Sequence, residues 1–359
     1  MPGPKERDLE ATRVALRGWL GSKLPGAEKL EISELSGPSA TGFSSDTLLF
    51  DASYDIDGES KQERLVARLE PRGFTLFPFN DVSIQYRAMQ ALRKTDVPVP
   101  RMRWLETNQE MLGSAFYVMD RVEGVPVTDT PPYHIGGWVS ELGEADQARL
   151  WWNGLDALCA IHRLDWRALG FQFLQGPDGV DPLTRQLDEY ESYFRWAVKD
   201  PARYAVIQRG LAWLRQHAPA GEPVGLCWGD SRPSNQMFRD LECVAVLDWE
   251  MVRLGNPLQD VAWWIAIDRC LSEGIGVPRL PGLPTADQTL AHWSAATGLS
   301  ADHFEYYEAL AFLKFSVIMA RLGLQMKHYE VAPEDSQMDV SNLASFLLER
   351  SLDGATAVV

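Results

Sequence analysis

This 359-residue chain is poor in positive charge, cysteine and histidine. Lysine and arginine number 34 against 50 aspartates and glutamates, a formal net charge of −16. So acidic a surface repels nucleic-acid phosphates and anionic lipid headgroups, and neither is expected as a partner. The four cysteines, Cys159, Cys227, Cys243 and Cys270, form no C-x-x-C pair. Each lies in an apolar stretch and reads as a small buried hydrophobe of a reducing compartment, not as part of a disulfide framework. The six histidines show no metal-ligand spacing, which argues against a zinc site. No apolar run reads as reaching a membrane span of about 20 residues. The start, "MPGPKERDLEATRVALRGWL", lacks a signal peptide's apolar core and reads as an amphipathic helix. A cytoplasmic globular protein is the expectation that these absences leave.

The hydrophobic content of 45% is enough for a full core. The length allows two domains or one domain with two lobes. Texture changes along the chain. After a leading helix over residues 1–24, "TLLFDASY" and "ERLVARLE" are β-competent around the turn "DIDGES". "DVSIQYRAMQALRKTD" carries Ile84, Met89 and Leu92 at helical positions, and "VPVPRMRWLETNQEMLGSAFYVMDRVEG" returns to strands. Beyond "VEGVPVT" the chain reads as mostly helical, with strand signals in "NQMF" and "CVAVLD". The expected architecture is α+β with segregated lobes: residues 1–124 as a small sheet-rich lobe and 125–359 as a helical lobe.

One stretch carries unusual chemistry: "LCWGDSRPSNQMFRDLECVAVLDWEMVRLGNPLQD", Leu226 to Asp260. Asp230 and Asn235 fit the form D-x-x-x-x-N, and a hairpin through "RDLE" would deliver Asp248 at a strand end. Phosphoryl transfer from a nucleotide needs few parts. A carboxylate must orient the attacking hydroxyl, oxygen ligands must hold Mg²⁺, and a cation must grip the phosphates. Asp230 alone could be a turn residue and Asp248 alone a helix cap. The three together, joined by a hairpin of that length, point to a metal–nucleotide site.

"WGDSRPSNQMF…VAVLDWEMVRLGNPLQDVAW" closely resembles the aminoglycoside phosphotransferase family of the kinase-like fold. That group includes choline-kinase-like enzymes and the phosphotransferase domains fused to some acyl-CoA dehydrogenases. The resemblance runs from about Ser36 to Leu324. It implies a bilobal, protein-kinase-like fold, with Asp230 as catalytic base and Asn235 and Asp248 as Mg²⁺ ligands. It also implies a nucleotide loop in "ATGFSSDT", where N–H groups at Gly42, Phe43, Ser44 and Ser45 would meet phosphate. Arg68 would stand where protein kinases use a phosphate-gripping lysine, able to grip bidentately. Gln85 aligns with the glutamate that usually pairs with that cation, and is expected to hydrogen-bond Arg68. Asp120 and Val122 would offer backbone to an adenine edge, with Met119 behind it.

The chain departs from the family at Trp228, which replaces a histidine before the Gly-Asp pair; packing by a large aromatic is the expected substitute. Arg232, Trp249 and Glu250 are expected near the acceptor, with Asp260 bracing the catalytic region. His162 reads as a satisfied core histidine. The implied function is an ATP- and Mg²⁺-dependent kinase that phosphorylates a hydroxyl of a small molecule, with GTP an open alternative to ATP. A nucleotide-binding pseudokinase is the alternative from another class, favoured by Trp228 and Gln85 and opposed by the intact Asp230, Asn235 and Asp248. A protein kinase fits less well, because no activation loop follows Asp248. Acceptor identity and oligomeric state stay open.

Overall fold

The structure, a computed structural model, describes residues 7–37, 46–177 and 179–356. The chain opens with helix α1 (Leu9–Lys23), capped by the Asp8 side chain, which accepts from the Ala11 N–H. Strands β1 (Glu28–Ile32), β2 (Asp46–Ile56) and β3 (Glu59–Leu69) follow, then helix α2 (Val82–Leu92) and strands β4 (Met102–Glu106) and β5 (Phe116–Asp120). They form one antiparallel sheet in the order β1-β2-β3-β5-β4. Asp57 and Gly58, both at positive φ, make the two-residue turn between β2 and β3 and pin their register from Ile56↔Glu59 to Asp46↔Leu69.

Strand alternation divides the sheet into two faces. Leu65, Ala67 and Leu69 of β3, with Phe116 and Val118 of β5, pack on Leu16, Trp19 and Leu20 of α1. Val66, Tyr117 and Met119 belong instead to the larger core shared with α2 and the helical half. Arg68 falls in phase with Val66 and is the register partner of Tyr117, so alternation aims it at the helical half.

The rest of the chain contains β6 (Val125–Pro126), α3 (Glu144–His162), α4 (Pro182–Ala197), α5 (Ala205–Gln216), β7 (Gly225–Cys227), β8 (Gln236–Arg239), β9 (Glu242–Val246), β10 (Arg253–Gly255), α6 (Leu258–Cys270), α7 (Ala286–Thr297), α8 (Phe304–His328) and α9 (Leu343–Thr356). Helix α8 packs against α4, α5, α6 and α9. At 25 residues it is long and apolar enough to cross a membrane, which corrects the reading that no segment reaches that length. It is also the central core helix, with 67% of its most apolar window buried.

Four strands escaped the sequence reading. β1 lies on the sheet edge, β6 has two residues, and β7 and β10 have three each, too few to show alternation. β7 and β10 pair antiparallel, Cys227 opposite Arg253. β8 and β9 form a hairpin inside that pair, turning at Asp240 and Leu241, both left-handed at φ 53° and 66°. This nesting brings the two intervening loops, 228–235 and 247–252, side by side.

A second tie joins the two halves. The β3–α2 connection is pinned to the helical half at consecutive carbonyls. Gln325 donates to Phe74 O (2.8 Å), Arg321 to Thr75 O (2.9 Å) and Tyr193 to Leu76 O (2.7 Å).

Trp19 anchors α1 to the sheet. It is 2% exposed, meets Phe116 edge-on at 4.7 Å and donates its indole N–H to Glu106 at 2.8 Å. Trp19→Ala is expected to cost about 3–5 kcal/mol of stability, read as a lowered urea midpoint.

Candidate active site

The two loops are held together by hydrogen bonds before any charge is considered. The Leu247 N–H donates to Asn235 O (2.8 Å), so Asn235 and Asp248 lie at the same end of the hairpin. The Val246 N–H donates to Pro98 O (2.7 Å), tying β9 to the sheet half. Asp260 holds the first loop from beneath. Its Oδ2 accepts the Trp228 N–H at 2.6 Å and its Oδ1 the Gly229 N–H at 3.0 Å, while the Ser231 hydroxyl donates to its backbone oxygen at 2.7 Å. Asp260 is fully buried at the start of α6, where the helix dipole favours a carboxylate.

Behind Asp260 stands His162. Trp293 Nε1 donates to His162 Nδ1 (2.8 Å), which leaves Nε2 as the protonated nitrogen, facing Asp260 Oδ2 at 3.2 Å. A neutral imidazole satisfies both bonds, and His162 is a core residue. Gly229 sits at φ 95°, and a Cβ there would lie 2.1 Å from Met251 O. Only glycine permits this approach of the two loops.

Asp230 is 6% exposed and has both carboxylate oxygens engaged. Oδ1 accepts from Trp263 Nε1 at 2.9 Å; Oδ2 accepts from Asn235 Nδ2 at 2.7 Å and faces Arg232 at 3.2 Å. Burial pushes its carboxyl above the ordinary aspartate range; Arg232 opposes this and the charge on Asp248 adds to it. Arg232 is shared with Asp129, at 2.9 Å.

Asp248 has φ 57°, in the left-handed region, and its Oδ1 accepts from Arg68 at 3.0 Å. Trp228 fixes this strained residue: its indole N–H donates to Leu247 O (2.8 Å) and Asp248 O (3.2 Å). The substitute for histidine thus works by hydrogen bonding, not by packing alone.

Arg68 lies between Asp248 and Tyr117. The expectation that Gln85 bonds it directly needs correction. Gln85 Oε1 accepts instead from Tyr117 Oη at 3.2 Å, and the link to Arg68 runs through that tyrosine. The buried Nε–H of Arg68 has no partner among the described residues. Met119 is buried on the same face of the sheet as Tyr117. The Asp120 N–H is engaged by Arg101 O (2.9 Å), whereas the Val122 N–H has no partner among the described residues. The loop of Gly42, Phe43, Ser44 and Ser45 lies outside the described residues.

Trp249 is the second correction. It is fully buried and donates to Val246 O at 3.1 Å, so it belongs to the core and not to an acceptor pocket. Glu250 is half-buried, and its charge acts on Arg68, Tyr117 and Arg232. Three neighbours went unnoticed in the sequence: Tyr117, Asp129 and Trp263. Only Trp263 left a trace, three residues after Asp260 and so on the same helical face.

The donor set fits a magnesium–nucleotide complex. The amide oxygen of Asn235 and the second carboxylate oxygen of Asp248 are hard donors with no hydrogen bond from the described residues, and Mg²⁺ takes few protein ligands. The Nε–H of Arg68, without a partner among the described residues, suits a phosphate oxygen.

Trp228→Phe keeps one aromatic ring, removes the indole N–H with its two acceptors and leaves a small space where the larger ring stood. We expect a loss of about 2–4 kcal/mol of stability, from the lost bond and the cavity together, and a weaker hold on Asp248, seen as faster amide exchange at 247–249. Asp260→Ala orphans two buried N–H groups and is expected to cost more, about 2–6 kcal/mol by chemical denaturation.

A sequence model of the phosphotransferase enzyme family matches residues 41–299, well over half of the chain. Over 267 residues the chain is 27% identical to acyl-CoA dehydrogenase family member 10 of Mus musculus, covering 71% of this chain and 24% of that protein. It is 24% identical to family member 11 of Rattus norvegicus, covering 70% and 32%. The chain therefore spans about a quarter to a third of these curated relatives. Among solved structures, a Ralstonia eutropha protein named provisionally as an aminoglycoside phosphotransferase superposes with a TM-score of 0.69 at 22% identity, over 96% of this chain and 98% of that one. A thermostable mutant of aminoglycoside phosphotransferase APH(4)-Ia, in ternary complex with ADP and hygromycin B, superposes with a TM-score of 0.57 at 15% identity, over 94% and 98%. These structures share the kinase-like fold. With a matching family model over most of its length, the chain belongs to the phosphotransferase enzyme family.

Proposed function

We propose that this protein is an ATP- and Mg²⁺-dependent small-molecule kinase that transfers a γ-phosphoryl group to a hydroxyl, with GTP the alternative donor. The observation that carries this reading is the juxtaposition of Asp230, Asn235 and Asp248 beside an arginine whose buried Nε–H has no partner among the described residues. The ADP complex of a structural neighbour supports the nucleotide part.

In this reading Asp230 is the base. Trp263 and Asn235 each donate to one of its oxygens, which fixes the carboxylate plane and leaves its remaining lone pairs for the acceptor hydroxyl. Arg232 balances the carboxylate charge and is itself held by Asp129. Asn235 and Asp248 would hold the metal. Bound Mg²⁺ would neutralise charge on the transferring phosphoryl group. Arg68 would turn its open N–H to the phosphates, steadied by Tyr117 and Gln85. The Val122 N–H and the backbone oxygen of Asp120 would face the adenine edge, with Met119 behind. Gly42, Phe43, Ser44 and Ser45 would cover the phosphates. Glu250 would border the acceptor, as would part of the segment 268–288.

The acceptor is a small molecule. A neighbour's hygromycin B favours an amino-alcohol or aminoglycoside, whereas the dehydrogenase-linked relatives favour a hydroxyacyl thioester. The protein would act in the cytoplasm, where ATP is available.

The test is Mg²⁺-dependent ATP consumption against aminoglycosides, choline, ethanolamine, sugars and hydroxyacyl-CoAs. Turnover with one class, falling at least about a thousandfold in Asp230→Asn, is the expected outcome. ATP binding without turnover on any acceptor would favour the pseudokinase, and failure to bind ATP or GTP would sink both readings.

A further inference from the structure

Lys314, in the middle of α8, has no part in the chemistry above, yet it lies directly behind it. It is 2% exposed and makes no ion pair or hydrogen bond with the described residues. Its ammonium stands 4.5 Å from the ring centroid of Trp263 and 5.8 Å from that of Tyr190. The charged and titratable groups facing it are Arg253 of β10, Cys227 of β7, Asp260 of α6, Asp230 of the loop between β7 and β8, and Tyr190 of α4.

A buried ammonium with no carboxylate in ion-pair contact among the described residues is a costly choice for a position that methionine could fill, even with the charges of Asp260 and Asp230 favouring it. Two π faces return part of the cost. Desolvation, with Arg253 adding to it, pulls the amine down to about 8. The other buried polar side chains of α8, Tyr306, Tyr307, Ser316 and Gln325, each have a hydrogen-bond partner, whereas Lys314 has none among the described residues.

Trp263 connects this lysine to the base. One ring takes Lys314 on its face and gives its Nε1–H to Asp230 Oδ1 at 2.9 Å. Phe315 packs edge-on against the same ring at 5.8 Å and limits its rotation. A cation over an indole draws π density toward itself and leaves the N–H a stronger donor. We infer that Lys314 is a positioning residue for Asp230, acting through Trp263: its ammonium polarises the indole, whose N–H then holds the carboxylate in line with the acceptor. The inference rests on Asp230 being the base.

The experiment compares the full-length parent with Lys314→Met, Trp263→Phe and the double variant. Its probes are the ¹⁵N–¹H indole resonance of Trp263, assigned by its loss in Trp263→Phe, and Mg·ATP turnover with water as acceptor. In Lys314→Met the Trp263 resonance is expected to move upfield. The value of kcat should fall about tenfold, equivalent to about 1.4 kcal/mol of transition-state stabilisation, with KM for ATP unchanged. Adding Lys314→Met to Trp263→Phe should then lower kcat no further.

Stability provides a readout in the opposite direction. The native amine releases its proton near pH 8 and a free lysine near 10.5. Between those values the native state binds fewer protons than the unfolded state, so the parent gains stability as pH rises through that window. Lys314→Met should be more stable than the parent at neutral pH, and the margin should close between pH 8 and 10.5. An unmoved resonance, additive effects on kcat, or a variant that is less stable at neutral pH would overturn the inference. Turnover retained by Asp230→Asn would overturn the base assignment instead, which keeps the two failures distinct.

Discussion

The grip of one buried carboxylate on two backbone N–H groups is the constraint on which the candidate site depends. Asp260 reaches back from the first turn of α6 and takes the N–H groups of Trp228 and Gly229, the two residues that lead into Asp230. Backbone groups held this way cannot turn toward water, so the direction of the loop is fixed before Asp230 makes a contact of its own. The carboxylate is itself steadied by His162 and, behind it, Trp293. That chain of hydrogen bonds joins α3, α6 and α7 to one loop, and it is closed to solvent throughout.

Around this anchor the sequence builds two nested ladders, β7 with β10 outside and β8 with β9 inside. The loops between them meet because the ladders leave them no other path, and Gly229 removes the side chain that would keep them apart. Trp228 then serves both loops. Its backbone is held by Asp260 and its indole holds the carbonyls of Leu247 and Asp248. A left-handed backbone at Asp248 persists because its surroundings determine it on several sides at once.

Much of this was legible in the sequence, for physical reasons that differ by element. The sheet and the long helices declared themselves by periodicity, and the hairpin by two β-competent runs around a short polar turn. Asp230, Asn235 and Asp248 were legible because spacing within a hairpin is local. Partnerships across the fold were not. Gln85 was matched to Arg68 by alignment, yet Tyr117, opposite Arg68 on the neighbouring strand, stands between them. Trp249 follows Asp248 directly, but the left-handed residue before it turns its ring into the core. Strands of two or three residues carry no pattern of their own and exist only through their partners.

The tie between residues 74–76 and the helical half bears on how such a molecule can move. The polypeptide passes between the halves near residue 124, and three side chains of α4 and α8 fasten the β3–α2 connection a second time. A body attached at one point can swing in any direction. The Val246–Pro98 bond and the Arg68–Asp248 pair fasten the halves at further points, and each one removes a direction of motion. Any widening of the cleft between Arg68 and Asp248 would therefore have to break that ion pair and bend the segments that carry the other ties.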